Sequence, residues 1–84
     1  MFERIETAGE FGATLTRARK ALGLTQRELA LAIGVGERFI VDLESGKPTA
    51  QLGKALAAAK AAGMHLVDSA EFVIEHPVPP KTAP

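Results

Sequence analysis

The residues able to do chemistry gather in one stretch, GVGERFIVDLESGK, residues 34 to 47, which offers Glu37, Arg38, Asp42, Glu44, Ser45 and Lys47. Their types do not build an enzyme. No nucleophile is spaced with a base, no ligands have metal spacing, and no glycine loop would cradle a phosphate. There is no Cys, and His65 and His76 stand without a ligand pattern, so neither a metal nor a cofactor is expected and His65 reads as a surface or interface residue. The stretch is instead rich in hydrogen-bonding groups. A guanidinium such as that of Arg38 can bond the O6 and N7 of guanine together, worth about 1–3 kcal/mol of discrimination, and a carboxylate such as Glu37 can accept from a cytosine amino group. Yet the stretch sets Glu37, Phe39, Val41 and Asp42 beside Arg38, where a helix approaching a polyanion usually favours Lys, Arg, Gln, Asn or Ser.

The elements that must hold these groups have legible boundaries. Thr7 and Glu10 have the spacing of a capping box, in which hydroxyl and carboxylate each satisfy an orphan N–H at a helix start. Phe11, Leu15, Ala18 and Leu22 follow as one apolar stripe, with Arg17, Arg19 and Lys20 off it and Gly23 as a stop. Gly9 and Gly12 weaken the first turns by about 1 kcal/mol each. A second capping box, Thr25 with Glu28, opens the next helix, and Leu24 is placed to pack on Leu29. Leu29, Ala30 and Ile33 face inward, and Gly34 suits the left-handed position that ends the helix.

Only Val35 and Gly36 separate this helix from a third, about Glu37 to Ser45, with Ile40 and Leu43 facing in and Gly46 closing it. Two short helices joined by a tight glycine-containing turn match a helix-turn-helix unit. Phe39 either folds back against the second helix or touches a thymine methyl. Thr49 is placed to cap a fourth helix reaching about Ala62, in which Leu52, Leu56 and a run of alanines pack on neighbours, and Gly63 ends it.

At 84 residues the chain is a single domain. A chain of this size buries only about 60% of the surface its unfolded form exposes, so a partner subunit would help its stability. The formal net charge of zero speaks against a general nucleic-acid binder. The charge is nevertheless segregated: Arg17, Arg19 and Lys20 occur in residues 11–23 with no acid, whereas Glu3, Glu6 and Glu10 outnumber Arg4 before them. One face can therefore be basic. No apolar run approaches the roughly 18 residues of a membrane span, and no secretory leader pattern precedes the domain, so a cytoplasmic, nucleoid-associated protein without membrane contact is expected.

Over about residues 11–63 the chain resembles the Cro/C1-type, or XRE, helix-turn-helix family, through LGLTQRELALAIGV, the frame of Ile40, Leu43 and Glu44, and SGKP. Within it, ERFIVDLESGKPTAQLGKALAAAKAAGMHLVD looks most like the short HipB-like antitoxins. The resemblance implies an all-α, lambda-repressor-like domain of four to five helices followed by a short β-strand paired across a homodimer. It also implies repression of the protein's own operon through a palindromic double-stranded operator, and a HipA-like Ser/Thr kinase toxin as partner. The family's base-facing positions fall on Gly36, Glu37, Arg38, Val41 and Asp42, and its phosphate contacts on Gln26, Ser45 and Lys47, with Arg27 a weaker candidate. The amides around Thr25 to Arg27 would attract a phosphate for a separate reason, because a helix N-terminus presents free N–H groups and a positive dipole end. The family also implies a structural ion pair between Arg19 and Glu44.

The expected organisation is an N-terminal segment (1–6), the helix-turn-helix domain (7–63), a strand or dimerisation segment (64–75) and a flexible Pro-rich tail (76–84). Met64, His65, Leu66 and Val67 lean toward strand, but a lone strand leaves its N–H and C=O groups unpaired. Three partners are open: the same segment of a second subunit, a return through residues 71–75, or the N-terminal FERIE; the HipB-like resemblance implies the first. The rival reading of the whole chain is a protein-interaction module with this fold, or a plain XRE-type regulator with no toxin.

Overall fold

A computed structural model describes residues 4–48 and 51–66. Within them the chain forms α1 (Ala8–Ala21), α2 (Gln26–Ile33), α3 (Glu37–Glu44) and α4 (Leu52–Ala61), with no strand among the described residues. Both capping boxes form. Thr7 Oγ1 accepts from the Glu10 amide at 3.0 Å while the Thr7 amide donates to Glu10 Oε1 at 3.1 Å, and the Thr25 and Glu28 pair repeats this at 3.0 and 2.8 Å.

Every helix closes on a glycine with positive φ, namely Gly23, Gly34, Gly46 and Gly63. At α2 the Gly34 amide donates to the Leu31 carbonyl and the Val35 amide to the Ala30 carbonyl, a pairing that satisfies two carbonyls at a helix end and needs a left-handed residue between them. This reverses the chain at once, and α3 begins behind Gly36.

The core is built from Leu15 of α1, Leu29 and Ala30 of α2, Ile40 and Leu43 of α3, and Ala55, Ala58 and Ala62 along α4 and its cap. α3 packs on both α1 and α2, and α4 packs on α2. Leu15, Leu29 and Ile40 are fully enclosed, and burying each contributes about 1.5–3 kcal/mol. Phe39 is half-buried against this core, the packing alternative of the two open to it.

Several expectations change. Gly12 is a contact point rather than a weak point: a Cβ there would collide with the Leu43 carbonyl and lie 2.7 Å from the Glu44 carbonyl oxygen. A Cβ on Gly46 would lie 2.9 Å from the Gly9 Cα, so α1 meets the end of α3 through two glycine contacts. The fourth helix starts at Leu52 behind Gln51, which makes no side-chain cap bond; Thr49 lies outside the described residues. Its leucines do not pack: Leu52 is 66% and Leu56 43% exposed, and the alanines take the buried face because methyl groups allow a close helix approach. Leu22, the C-cap residue of α1, is exposed as well.

Met64 closes α4, its amide donating to the Ala59 carbonyl at 2.9 Å and its side chain packing on the core. His65 and Leu66 continue as exposed, irregular chain; Val67 and the remainder of the expected strand and tail lie outside the described residues. No described helix is long and apolar enough to cross a membrane.

Candidate nucleic-acid interface

The interface rests on a buried anchor. Arg19, off the apolar stripe of α1, turns under the domain and meets Glu44 at the last turn of α3, with Nε donating to Oε2 at 2.6 Å and Nη2 to Oε1 at 3.0 Å. Arg19 Nη1 also donates to the Leu24 carbonyl at 2.8 Å. Glu44 Oε1 accepts from Gln26 Nε2 at 3.0 Å as well, so one carboxylate ties together α1, the start of α2 and the end of α3. Burial alone would raise the Glu44 carboxyl, but hydrogen bonds from Arg19, Gln26 and Thr16, with the Arg19 charge, outweigh it and hold the group below its ordinary pKa. The same hydrogen bond is the main cause that raises Arg19.

The outward face of α3 is organised by Asp42. Its Oδ1 lies 3.4 Å from Arg38 Nε, one turn back, and its Oδ2 lies 3.7 Å from Lys47 Nζ. Its backbone carbonyl accepts from Ser45 Oγ at 2.9 Å and from the Lys47 amide at 3.0 Å. Arg38, Ser45 and Lys47 therefore share one neighbour. The Arg38 side chain is 83% exposed, so its guanidinium stands in solvent above α3. Glu37 is exposed in the first turn, Gly36 precedes it as the N-cap residue, and Val41 is half-buried.

At α2, the capping box occupies the amides of Thr25 and Glu28, leaving those of Gln26 and Arg27 as the outward donors of the first turn. Arg27 is exposed, and Gln26 is half-buried by its bond to Glu44. Because Glu44 holds Gln26, the start of α2 and the end of α3, with Ser45 beyond it, lie side by side. Among the described residues no three His, Cys, Asp or Glu are grouped to hold a metal ion.

A family model described as helix-turn-helix (HTH_3) matches residues 15–68, spanning all of this geometry. The chain belongs to the Cro/C1-type (XRE) helix-turn-helix family. This XRE-family protein is 57% identical, over 56 residues, to an uncharacterized HTH-type transcriptional regulator, y4mF, of Sinorhizobium fredii, a match covering 67% of this chain and 74% of the relative. Its fold is shared by the restriction-modification controller protein C.AhdI from Aeromonas hydrophila, at 29% identity and a TM-score of 0.61, over 69% of this chain and 84% of that one. It is shared also by HipB in a HipA-HipB-O2-O3 complex, at 20% identity and a TM-score of 0.74, over 84% of this chain and all of that one. At that level the XRE-family chain is a helix-turn-helix transcriptional regulator.

In this XRE-family domain α2 and α3 are the two helices of the motif. Two relationships escaped the sequence reading. The Gln26 to Glu44 bond joins residues 18 positions apart, and no local pattern signals it. The Arg38 to Asp42 pair has the i,i+4 spacing of helical ion pairs, a signal that was present in the sequence.

Proposed function

We propose that the protein is a sequence-specific repressor that binds a palindromic operator as a homodimer and acts as a HipB-like antitoxin controlling its own operon. The observation that carries the DNA-reading part is the outward face of α3, where Arg38 stands in solvent with Ser45 and Lys47 just beyond the helix end. In this reading Arg38 bonds a guanine, and Glu37, Gly36, Val41 and Asp42 line the groove around it. Ser45, Lys47, Thr25, Gln26 and Arg27 fix the register on phosphates. The second subunit joins through the chain from His65 onward, doubling the phosphate contacts of a small module and setting two recognition helices about 34 Å apart on one DNA face.

The test is an anisotropy titration of the protein against DNA from immediately upstream of its own coding sequence, at two salt concentrations, beside a random duplex. A preference for the upstream DNA, with affinity falling steeply as salt rises, is the expected result. Equal binding to both duplexes would sink the repressor reading and leave a protein-interaction module.

The antitoxin part is supported by the likeness to HipB alone, which at 20% identity is a likeness of fold. The 57% identical relative is an HTH-type transcriptional regulator, which supports a plain XRE-type regulator as the second reading. Co-purification with the product of the neighbouring reading frame separates the two: a stable complex with a kinase-like protein supports the antitoxin, and its absence supports the plain regulator.

A further inference from the structure

We propose that Asp42 is a positioning residue that trades DNA affinity for sequence discrimination by aiming Arg38 and restraining Lys47; this rests on α3 being the DNA-reading helix. Asp42 sits between the two cations with a different carboxylate oxygen toward each, Oδ1 at 3.4 Å from Arg38 Nε and Oδ2 at 3.7 Å from Lys47 Nζ. Its position is fixed from below, because its carbonyl accepts from both the Lys47 amide and Ser45 Oγ. The carboxylate is also less exposed than its partners, with its side chain 30% exposed against 83% for Arg38 and 64% for Lys47. The half-buried acid is thus the fixed point and the long cations are what it orients.

The atoms engaged matter. Asp42 lies nearest Nε of Arg38, the inner nitrogen of the guanidinium, which leaves the two Nη groups of this 83% exposed side chain as the fork offered to a base. That end can meet guanine O6 and N7 together, and holding it in advance reduces the rotamer freedom lost on binding. The anion has an opposite effect on phosphates. It offsets part of the charge of Lys47 and lies close to any phosphate that Lys47 or Ser45 contacts, weakening the sequence-independent component of binding. Removing only the charge should therefore raise affinity for any DNA and lower discrimination. A residue that merely supported the fold would not produce this opposed pair of changes, and exposed ion pairs add little to stability in any case.

The test compares the unaltered protein, Asp42→Asn and Asp42→Glu by anisotropy on the upstream duplex and on a random duplex of equal length, across a salt series. Asp42→Asn should bind the random duplex severalfold more tightly and with a steeper salt dependence. Its preference for upstream over random DNA should fall about two- to tenfold, the size of the ordering cost of one more side chain. Asp42→Glu, which keeps the charge at i,i+4 spacing, should recover most of the preference. If Asp42→Asn keeps the full preference, or weakens binding to both duplexes alike, Asp42 has no positioning role although the protein still reads DNA. If the unaltered protein shows no preference, the DNA-reading proposal itself fails and takes the role of Asp42 with it.

Discussion

Arg19 and Glu44 meet in a two-point contact across 25 positions of sequence, with side chains only 9% and 6% exposed, and that contact locks α3 to α1. Arg19→Ala or Glu44→Ala leaves an uncompensated buried charge and should cost about 3–5 kcal/mol, a large part of the roughly 5–15 kcal/mol of a typical domain. The apolar double replacement Arg19→Met with Glu44→Leu should recover most of that loss. Urea denaturation of the unaltered protein, Arg19→Met, Glu44→Leu and the double variant closes a double-mutant cycle that measures the coupling, and strictly additive losses would show that the two residues act independently.

The same carboxylate sets an acid limit. Because Glu44 is held below its ordinary value of 4.5 in the folded protein, its contribution is fully present above that value. It is lost as pH falls through the lower folded value, since the unfolded chain binds the proton more readily. Thermal melts should therefore show the midpoint falling on acidification below about pH 4.5, and Glu44→Gln should have a lower midpoint at pH 7 with a shallower acid dependence. An unchanged slope in the variant would assign the acid sensitivity to other carboxylates.

Gly12 should resist the substitution that helix propensity recommends. Alanine would gain up to about 1 kcal/mol in an open helix, but here its Cβ would collide with the Leu43 carbonyl and crowd that of Glu44. Backbone cannot yield as a flexible side chain does, so Gly12→Ala should lower the denaturation midpoint. Gly53→Ala, with open space around it in α4, should raise stability by about 0.5 kcal/mol. Stabilisation by Gly12→Ala would mean that α1 and α3 are not so closely joined.

Arg38 and Lys47 should fail differently when truncated. Arg38→Ala is expected to lose about 1–3 kcal/mol at particular base positions, and Lys47→Ala to weaken all sequences alike while lowering the salt slope by about 1. A scan of single-base operator variants at fixed salt distinguishes the two patterns; identical profiles would leave neither residue as the base reader.

The chain from His65 onward should carry the dimer. Because Met64 closes α4 and packs on the core, a chain ending at Met64 should keep the fold but sediment as a monomer, and the 84-residue chain should sediment as a dimer. Unchanged mass would place the interface elsewhere, and the exposed Leu52 and Leu56 would then be the first surface to alter.

Local chemistry made much of the fold legible. Capping boxes at Thr7 and Thr25 and glycines at 23, 34, 46 and 63 are patterns a few residues long, and each marks a helix end because it satisfies orphan N–H or C=O groups there. The buried leucines of α1 to α3 followed from helical spacing. The Arg19 to Glu44 pair was legible only through family resemblance, since nothing local links residues so far apart. The reading of α4 went astray for a related reason: spacing shows that a face is apolar, but neighbour distance decides whether Leu or Ala fills it.

What the sequence by itself determined is therefore the helices, the ends of the first three and the family frame, all set by short-range hydrogen bonding and apolar periodicity. The tertiary structure alone decided that Gly12 is a point of closest approach and that Gln26 belongs to Glu44. Both depend on distances between groups that only packing brings together, and steric exclusion and hydrogen bonding act over a few ångströms of space rather than along the chain.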